Sequence, residues 1–311
     1  MEAKWRWILV TAIAPIAWGS NYYVTRHFLP ADSPLWGAVI RALPAGLLLL
    51  AVARQRPRGA WWWRSAVLGI LNVGAFFVLI YLASQLLPTS VASTIMASSA
   101  AVLMLLAWPL LGERPGLFSL LGAAIGFTGV CVMLLGGGSA GPGGGIDPLG
   151  VAVSLGAMGL SSVGFILTKR WSRTADGAAP VSTLALTSWQ LIAGGMLLLP
   201  FAAVSEGPPP QLDLPAVLAF AYVSLIATAL AFVAWFTGLR HLPAGAVGLV
   251  GLLNPVTGVL LGTLLAGEAF GPLQASGTAL VLGGVLLGQR RSRAVRDRIS
   301  SPSAASSSRR T

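Results

Sequence analysis

The sequence predicts an all-α integral membrane protein that crosses the bilayer as ten transmembrane helices. Apolar residues make up 55% of the 311-residue chain and charged residues only 9%, whereas a soluble domain carries roughly a quarter charged residues. The apolar residues form long blocks, many of which reach or approach the ~20 residues that cross the hydrocarbon layer as a helix. Because no water satisfies backbone polar groups in that layer, blocks this long and uniformly apolar are expected to be helices rather than barrel strands.

Ten candidate spans follow one another along the chain, and most of the breaks between them carry charge, Pro or Gly. The first five are Trp7–Leu29, Pro34–Ala53, Ser65–Leu87, Thr89–Leu111 and Gly116–Leu135. The second five are Pro148–Thr168, Pro180–Val204, Leu214–Gly238, Pro243–Ala266 and Pro272–Gly288.

Composition divides the chain into two halves, a linker between them and a C-terminal tail. Segment 137–147 is rich in glycine and has the composition of a flexible linker. It separates residues 1–136 from residues 148–289, so we expect two five-helix repeats. The final segment, 290–311, is rich in Arg and Ser and is expected to be a disordered tail near anionic lipid.

The basic residues predict the orientation of the chain. With the N-terminus in the cytoplasm, 18 of the 20 Lys and Arg residues fall on the cytoplasmic side, and the exceptions are Arg26 and Arg41. The positive-inside rule therefore places both termini in the cytoplasm. This topology accounts for the net charge of +11, so the expected partner is membrane lipid and not nucleic acid.

The two halves resemble each other in sequence. Motifs of the first half recur 155 residues later without a gap. The matched pairs are Leu87-Pro88 and Leu242-Pro243, Gly112-Glu113 and Gly267-Glu268, Gly116 and Gly271, Gly122 and Gly277, and Gly129 and Gly284. Farther upstream, Thr25-Arg26 matches Thr168-Lys169 at an offset of 143 residues. Because each half has an odd number of spans, the sequence predicts inverted repeats and alternating access of a central site to the two membrane faces.

Two further features accompany the duplication. The first span contains Ala-Trp-Gly-Ser-Asn at residues 17–21, and each half has a Pro-led span that ends in Gly-Glu before a last helix with repeated glycines. This combination resembles the EamA type of drug/metabolite transporters over nearly the whole chain. The resemblance implies a bacterial inner-membrane exporter or facilitator of amino acids, related metabolites or amphipathic compounds that works without ATP. One departure is Asn254-Pro255, whose counterpart Ser99-Ala100 lacks the proline, so the two halves are expected to gate unequally.

Polar and aromatic side chains inside apolar spans are the candidates for contact with a small-molecule substrate, because an unpartnered amide or hydroxyl in lipid is costly. These candidates are Trp18, Asn21, Tyr22, Arg41, Asn72, Tyr81, Ser99, Gln190, Trp235 and Asn254. The sixth span adds Ser161 and Ser162. Serine in a membrane helix commonly bonds its own backbone, so the four amides are the stronger candidates.

Charged residues and prolines complete the set of predicted functional groups. Arg41 is the one clear cation inside a predicted span, and it either binds a substrate carboxylate or serves as a structural ion-pair or hydrogen-bond donor. Glu113 and Glu268 lie at span ends and are assigned a gate or structural role. Pro15 and Pro255 receive the same assignment, because proline can interrupt a membrane helix and free its backbone groups.

An enzymatic function is not predicted. The spans contain no nucleophile beside a base, no pair of mid-membrane aspartates and no two histidines at metal-ligand spacing. Cys131 is the single cysteine, so neither a disulfide nor a cysteine-based metal site is expected. We therefore expect no catalytic residues, no metal and no cofactor.

Two other membrane functions are open at this stage. The resemblance extends to exchangers for phosphorylated or nucleotide-linked sugars, which would be expected to place more cations in the cavity than Arg41 alone. A receptor or scaffold without transport activity would not require an inverted duplication. Glycine pairs such as Gly122 and Gly126 allow close helix contact within one chain or between two, so the sequence is compatible with a monomer or a homodimer.

Overall fold

The computed structural model describes residues 2–97, 99–136, 147–173, 181–267 and 271–290. These residues form fourteen α-helices and two π-helical segments, with no strand among them. The helices of the first half are α1 (Glu2–Phe28), α2 (Pro34–Ala53), α3 (Trp61–Gly69), α4 (Ala75–Leu86), α5 (Thr89–Ala97), α6 (Ser99–Leu111) and α7 (Leu117–Gly136). Those of the second half are α8 (Pro148–Arg173), α9 (Thr183–Ser205), α10 (Leu214–Ser224), α11 (Ala231–His241), α12 (Ala244–Gly251), α13 (Leu253–Leu264) and α14 (Pro272–Arg290).

Six helical stretches within the described residues are long and apolar enough to cross a membrane. They are Pro34–Ala53, Trp61–Leu86, Pro148–Ser172, Thr183–Ser205, Leu214–His241 and Ala244–Leu264. Shorter apolar stretches lie in α6, α7 and α14. The chain is therefore a helical protein that crosses the membrane several times. Six of the ten predicted spans meet this standard of length and composition.

The two halves share a backbone feature in their third predicted span. A π-helical segment, Ile70–Gly74, joins α3 to α4, and a second one, Leu225–Leu230, joins α10 to α11. The two segments begin 155 residues apart, which is the offset of the paired sequence motifs. Single π-helical turns are rare and concentrate at functional sites. Their matching positions extend the duplication from sequence to backbone conformation.

The ends of the paired helices also match. Leu87 follows α4 with φ −116° and ψ 152°, and Leu242 follows α11 with φ −120° and ψ 154°. Each leucine precedes a proline, whose ring disfavours the helical conformation in the residue before it. Gly112 and Gly267 have φ values of 68° and 66°, in the left-handed region that glycine adopts readily. The repeated motifs therefore mark the ends of corresponding helices.

Contacts near the two ends of α1 show that equivalent residues of the two halves lie at opposite ends of this helix. The Trp7 ring stacks on His241 at a centroid distance of 3.7 Å, so the start of α1 lies beside the end of α11. At this same end, Lys169 in α8 donates to the Leu242 carbonyl at 2.7 Å. Its counterpart, Arg26, donates to the carbonyl of the residue that follows α4. Arg26 lies roughly 28 Å from Trp7 along α1, at 1.5 Å per residue, so the two equivalent contacts lie at opposite ends of α1.

Glycines bring α7 and α14, the last helices of the two halves, into close contact. A methyl group on Gly122 would lie 2.5 Å from the Gly284 carbonyl oxygen, and one on Gly129 would lie 2.6 Å from the Gly277 carbonyl oxygen. These distances leave no room for a side chain. The repeated glycines therefore serve helix packing within one chain.

The two prolines that were assigned a gate or structural role differ in their settings. Pro15 lies inside α1, and the helix continues through it from Glu2 to Phe28. Pro255 lies in the first turn of α13, shortly after α12 ends at Gly251. Proline is tolerated at that place because the first N–H groups of a helix have no acceptor within the helix.

Candidate functional site

A cavity lies where helices of both halves meet. The cavity is lined by Trp18, Asn21, Tyr22, Arg41, Phe76, Ile80, Met96, Ser99, Ser161, Phe165, Trp235, Gly251 and Asn254. The lining residues up to Ser99 belong to the first half and the others to the second, so neither half forms the cavity alone.

The cavity brings together most of the residues that the sequence singled out for substrate contact. Seven of the ten candidates line it, and they come from five different helices. These seven are Trp18, Asn21, Tyr22, Arg41, Ser99, Trp235 and Asn254. The lining residues that were not predicted are Phe76, Ile80, Met96, Phe165 and Gly251. An apolar residue that faces a cavity looks the same in sequence as one that faces lipid or another helix, so no sequence signal separates this second group.

Three of the ten candidates lie outside the cavity lining. Asn72 Nδ2 donates to Gln190 Oε1 at 2.7 Å and to Thr168 Oγ1 at 3.2 Å. All three side chains are buried, and their hydrogen bonds join α8, α9 and the first π-helical segment. The Tyr81 hydroxyl donates to the Pro30 carbonyl. These contacts join neighbouring helices, and Asn72 Oδ1 has no partner among the described residues.

Aromatic rings form flat walls in the cavity. The rings of Trp18 and Phe165 are nearly parallel, with an interplanar angle of 6° and centroids 6.1 Å apart. Trp235 lies close to both, with its centroid 5.1 Å from that of Trp18 and 5.4 Å from that of Phe165. Trp18 Nε1 donates to the Ala227 carbonyl at 3.1 Å, which holds the orientation of its ring. The cavity thus offers a rigid apolar surface suited to a planar group.

Arg41 supplies the cationic group among the described lining residues. Its Nε donates to Thr228 Oγ1 at 2.6 Å and its Nη2 to the Ala227 carbonyl at 3.2 Å. Both acceptors belong to the second π-helical segment. The Arg41 guanidinium carbon lies 4.0 Å from the centroid of the Phe77 ring, a cation–π contact. The position of the guanidinium is therefore determined by three neighbours, none of which carries a negative charge.

Several polar atoms of the lining residues have no hydrogen-bond partner among the described residues. They are Asn21 Oδ1, Asn254 Oδ1 and Trp235 Nε1. A buried polar atom without a partner costs about 1–3 kcal/mol, and native proteins contain few of them. Other such atoms, among them Asn72 Oδ1, Ser154 Oγ and Ser224 Oγ, belong to residues outside the cavity lining. The three atoms at the cavity are therefore available to an occupant, but they are not unique to this place.

Tyr22 in α1 and Asn254 in α13 bring polar side chains of both halves to the cavity. Pro255, the next residue, lies in the first turn of α13 and has no N–H to donate.

A second group of polar contacts lies at one end of the bundle. Glu113 Oε1 is 3.0 Å from Lys169 Nζ, and its Oε2 accepts a hydrogen bond of 2.8 Å from the Ala244 backbone N–H. Lys169 is only 4% exposed, although the sequence placed it with the cytoplasmic cations. Glu113 connects the end of α6 to α8 and to the start of α12. Glu268, its counterpart, lies outside the described residues.

A cavity built jointly by two halves of a multi-pass helical protein is the arrangement that secondary transporters use. No group of three or more His, Cys, Asp or Glu side chains suited to a metal ion occurs within the described ranges. The chain belongs to the EamA-like transporter family, whose model matches residues 5–135 and again residues 148–288. The family resemblance inferred from the repeated motifs is thus confirmed.

Known proteins resemble the chain over most of its length. Protein PecM of Dickeya dadantii (strain 3937) is 33% identical over 277 residues, which cover 89% of this chain and 90% of PecM. The uncharacterized inner membrane transporter YedA of Escherichia coli (strain K12) is 26% identical over 277 residues, which cover 88% of this chain and 87% of YedA. A crystal structure with 20% sequence identity covers 95% of this chain and 99% of its own, with a TM-score of 0.71. This last similarity shows that the fold is shared.

Proposed function

We propose that the protein moves a small organic solute across a bacterial inner membrane by alternating access, without ATP hydrolysis. The observation that carries the proposal is the cavity between the halves, with its aromatic walls, its buried arginine and its unpartnered amide oxygens. A site shared by two repeats can change its access when one repeat moves against the other. Amino acids, related metabolites and amphipathic compounds combine polar and apolar parts as the cavity does.

The proposed architecture has ten transmembrane helices in two inverted five-helix repeats, residues 1–136 and 148–289. Four spans are added to the six long apolar stretches. They are α1, α5 and α6 taken together as one span, α7, and α14. The contacts of Arg26 and Lys169 at opposite ends of α1 support the inversion, because equivalent contacts of parallel repeats would lie at the same end. The distribution of Lys and Arg residues supports cytoplasmic positions for both termini.

We assign closure of the cytoplasmic end to Glu113 and Lys169. Their ion pair connects α6 of the first half to α8 of the second, and Glu113 also holds the start of α12. These contacts must separate before the halves can move apart at this end. By the sequence correspondence, Glu268 and Arg26 are assigned the same task at the outer end.

The other membrane functions fit the cavity less well. Phosphate-bearing substrates are typically held by several Arg or Lys side chains, whereas the described lining has Arg41 alone. A receptor or scaffold has no need for a site shared by two repeats. The cavity lies within a single chain, so we propose that the monomer is the transporting unit, whether or not two copies associate.

Counterflow of radiolabelled solutes into liposomes that contain the purified protein tests the proposal. We expect uptake of at least one member of a panel of amino acids, aromatic metabolites and amphipathic compounds without ATP. Ser99→Leu should lower the rate about tenfold, because the larger side chain occupies cavity volume. Ser276→Leu, at an exposed position of α14, is the matched control and should transport normally. Folded protein that carries no solute of the panel would refute the proposal.

A further inference from the structure

Arg41 carries a buried charge that no carboxylate matches within the described structure. Its side chain is 6% exposed, and its hydrogen-bond partners are a hydroxyl and a backbone carbonyl, both neutral. A charge buried in a membrane protein is costly unless an opposite charge compensates it. The cavity therefore favours an occupant that brings one negative charge.

The guanidinium is held so that part of its hydrogen-bonding capacity stays available. Nε and Nη2 donate to groups of the second π-helical segment, and the Phe77 ring covers the guanidinium group. Nη1 has no partner among the residues that the structure describes. Because Arg41 lines the cavity, its remaining N–H groups can serve an occupant. The planar fork of arginine matches the geometry of a carboxylate.

The remainder of the described lining is uncharged. It contains aromatic and aliphatic side chains, serines, a tyrosine, one glycine and two asparagines. An organic ammonium in this cavity would meet the repulsion of Arg41 and find only neutral acceptors. In a medium of low dielectric constant, the interaction energy with Arg41 differs strongly between an anion and a cation.

We propose that the cavity binds an organic monoanion, with a carboxylate that pairs with Arg41 and a planar apolar body that packs against the aromatic walls. This inference rests on the proposed transport function and narrows its substrates to organic monocarboxylates. One negative charge neutralises Arg41. A phosphate monoester would leave surplus negative charge, and a zwitterion would leave the cavity with the net positive charge it had when empty.

Four ligands with the same phenyl ring and different charges test the inference. Hydrocinnamate carries a carboxylate, phenylalanine a carboxylate and an ammonium, phenethylamine an ammonium alone, and phenylpropanol no charge. Isothermal titration calorimetry measures their binding to the full-length protein in detergent. We expect hydrocinnamate to bind most tightly and phenethylamine most weakly. The affinity for hydrocinnamate should exceed the affinity for phenylpropanol about tenfold, because its carboxylate forms a charge-assisted hydrogen-bonded pair with Arg41.

Variants of Arg41 give the second part of the test. Arg41→Gln should weaken hydrocinnamate binding about tenfold and leave phenylpropanol binding unchanged. Arg41→Lys keeps the charge but lacks the fork, so the preference for hydrocinnamate over phenethylamine should persist at reduced affinity. This second variant carries the test if Arg41→Gln does not fold. Arg54→Gln, at an exposed arginine after α2, is the control and should bind all four ligands as the unsubstituted protein does.

Equal affinities for the four ligands, or no saturable binding of hydrocinnamate to folded protein, would overturn the inference. Flux measurements in liposomes separate it from the transport proposal. Transport of uncharged or zwitterionic solutes without hydrocinnamate binding would reject the substrate class alone. Hydrocinnamate binding without flux of any solute would reject transport and leave the anion site standing.

Discussion

Asparagine side chains have two different surroundings in this protein. Asn21 and Asn254 lie at the cavity, and each keeps a buried Oδ1 without a partner among the described residues. Asn72 Oδ1 is also without a described partner, but Asn72 Nδ2 donates to two neighbouring side chains and joins helices. Sequence alone ranked these amides equally, because each is a polar group in an apolar span. Which neighbours surround each amide is decided by the tertiary structure.

Replacing Asn21 or Asn254 with Ala is expected to reduce transport about tenfold with little loss of stability, because the lost oxygen has no described protein partner. Asn72→Ala is the contrasting control. It leaves Gln190 Oε1 without its donor and should lower the free energy of unfolding by about 1–3 kcal/mol. Counterflow rates and thermal unfolding in detergent measure the two effects. Normal transport by both cavity variants would show that the substrate does not bind at these amides.

The helices are connected at one end of the bundle by a small set of charged contacts. The Glu113 carboxylate contacts the first N–H group of α12, where a negative charge complements the helix dipole. The Lys169 ammonium contacts the carbonyl that follows α11, where a positive charge does the same. The ion pair joins the two residues to each other. These contacts therefore hold four helices together through backbone as well as side-chain groups.

The Glu113 carboxylate is expected to matter mainly as the counter-charge of Lys169. Glu113→Gln keeps an oxygen that can accept from the Ala244 N–H but removes the charge. We expect it to lower the free energy of unfolding by about 2–3 kcal/mol, below the range for a fully buried pair because the Glu113 side chain is 20% exposed.

The double variant Glu113→Gln with Lys169→Met provides the decisive comparison. It removes both charges, so it should recover most of the stability that Glu113→Gln loses. Thermal unfolding of the single and double variants in detergent gives the measurement. A double variant that is less stable than Glu113→Gln would show that the ion pair is not the important interaction at this end.

For the molecule as a whole, the proposed inversion requires particular segments to lie on opposite faces of the membrane. Glu206 follows α9 and accepts from the backbone N–H groups of Leu35 and Trp36 at 2.7 and 2.8 Å. The end of α9 thus lies beside the start of α2. In the proposed topology this is the outer end, opposite to the end that holds Lys169.

Reporter fusions that end after Arg173 and after Glu206 test this topology. Green fluorescent protein should fluoresce when fused after Arg173, because that position is cytoplasmic in the proposed arrangement. Alkaline phosphatase should be active when fused after Glu206, on the outer side. The reciprocal fusions serve as controls and should be inactive. If the two positions report the same face, the repeats are not inverted.

Much of the architecture could be read from sequence because the bilayer imposes strong constraints. Apolar blocks predict helices, since backbone polar groups in lipid must be satisfied internally. The paired motifs at Leu87 and Leu242, and at Gly112 and Gly267, mark helix ends through the local preferences of proline and glycine. Local rules did not anticipate the two π-helical segments, because no single residue type specifies them.

By itself, the sequence determined that this protein is helical, embedded in a membrane and built from a duplicated unit of the EamA-like family. Only the tertiary structure decided that Arg41, Asn21 and Asn254 share one cavity, and that Lys169 is buried against Glu113. The physical reason is the solvent. A helix in lipid is apolar on the face that meets lipid and on the face that meets other helices. Its sequence therefore carries little information about which face meets which neighbour. Helix packing alone brings polar groups that are distant in sequence together.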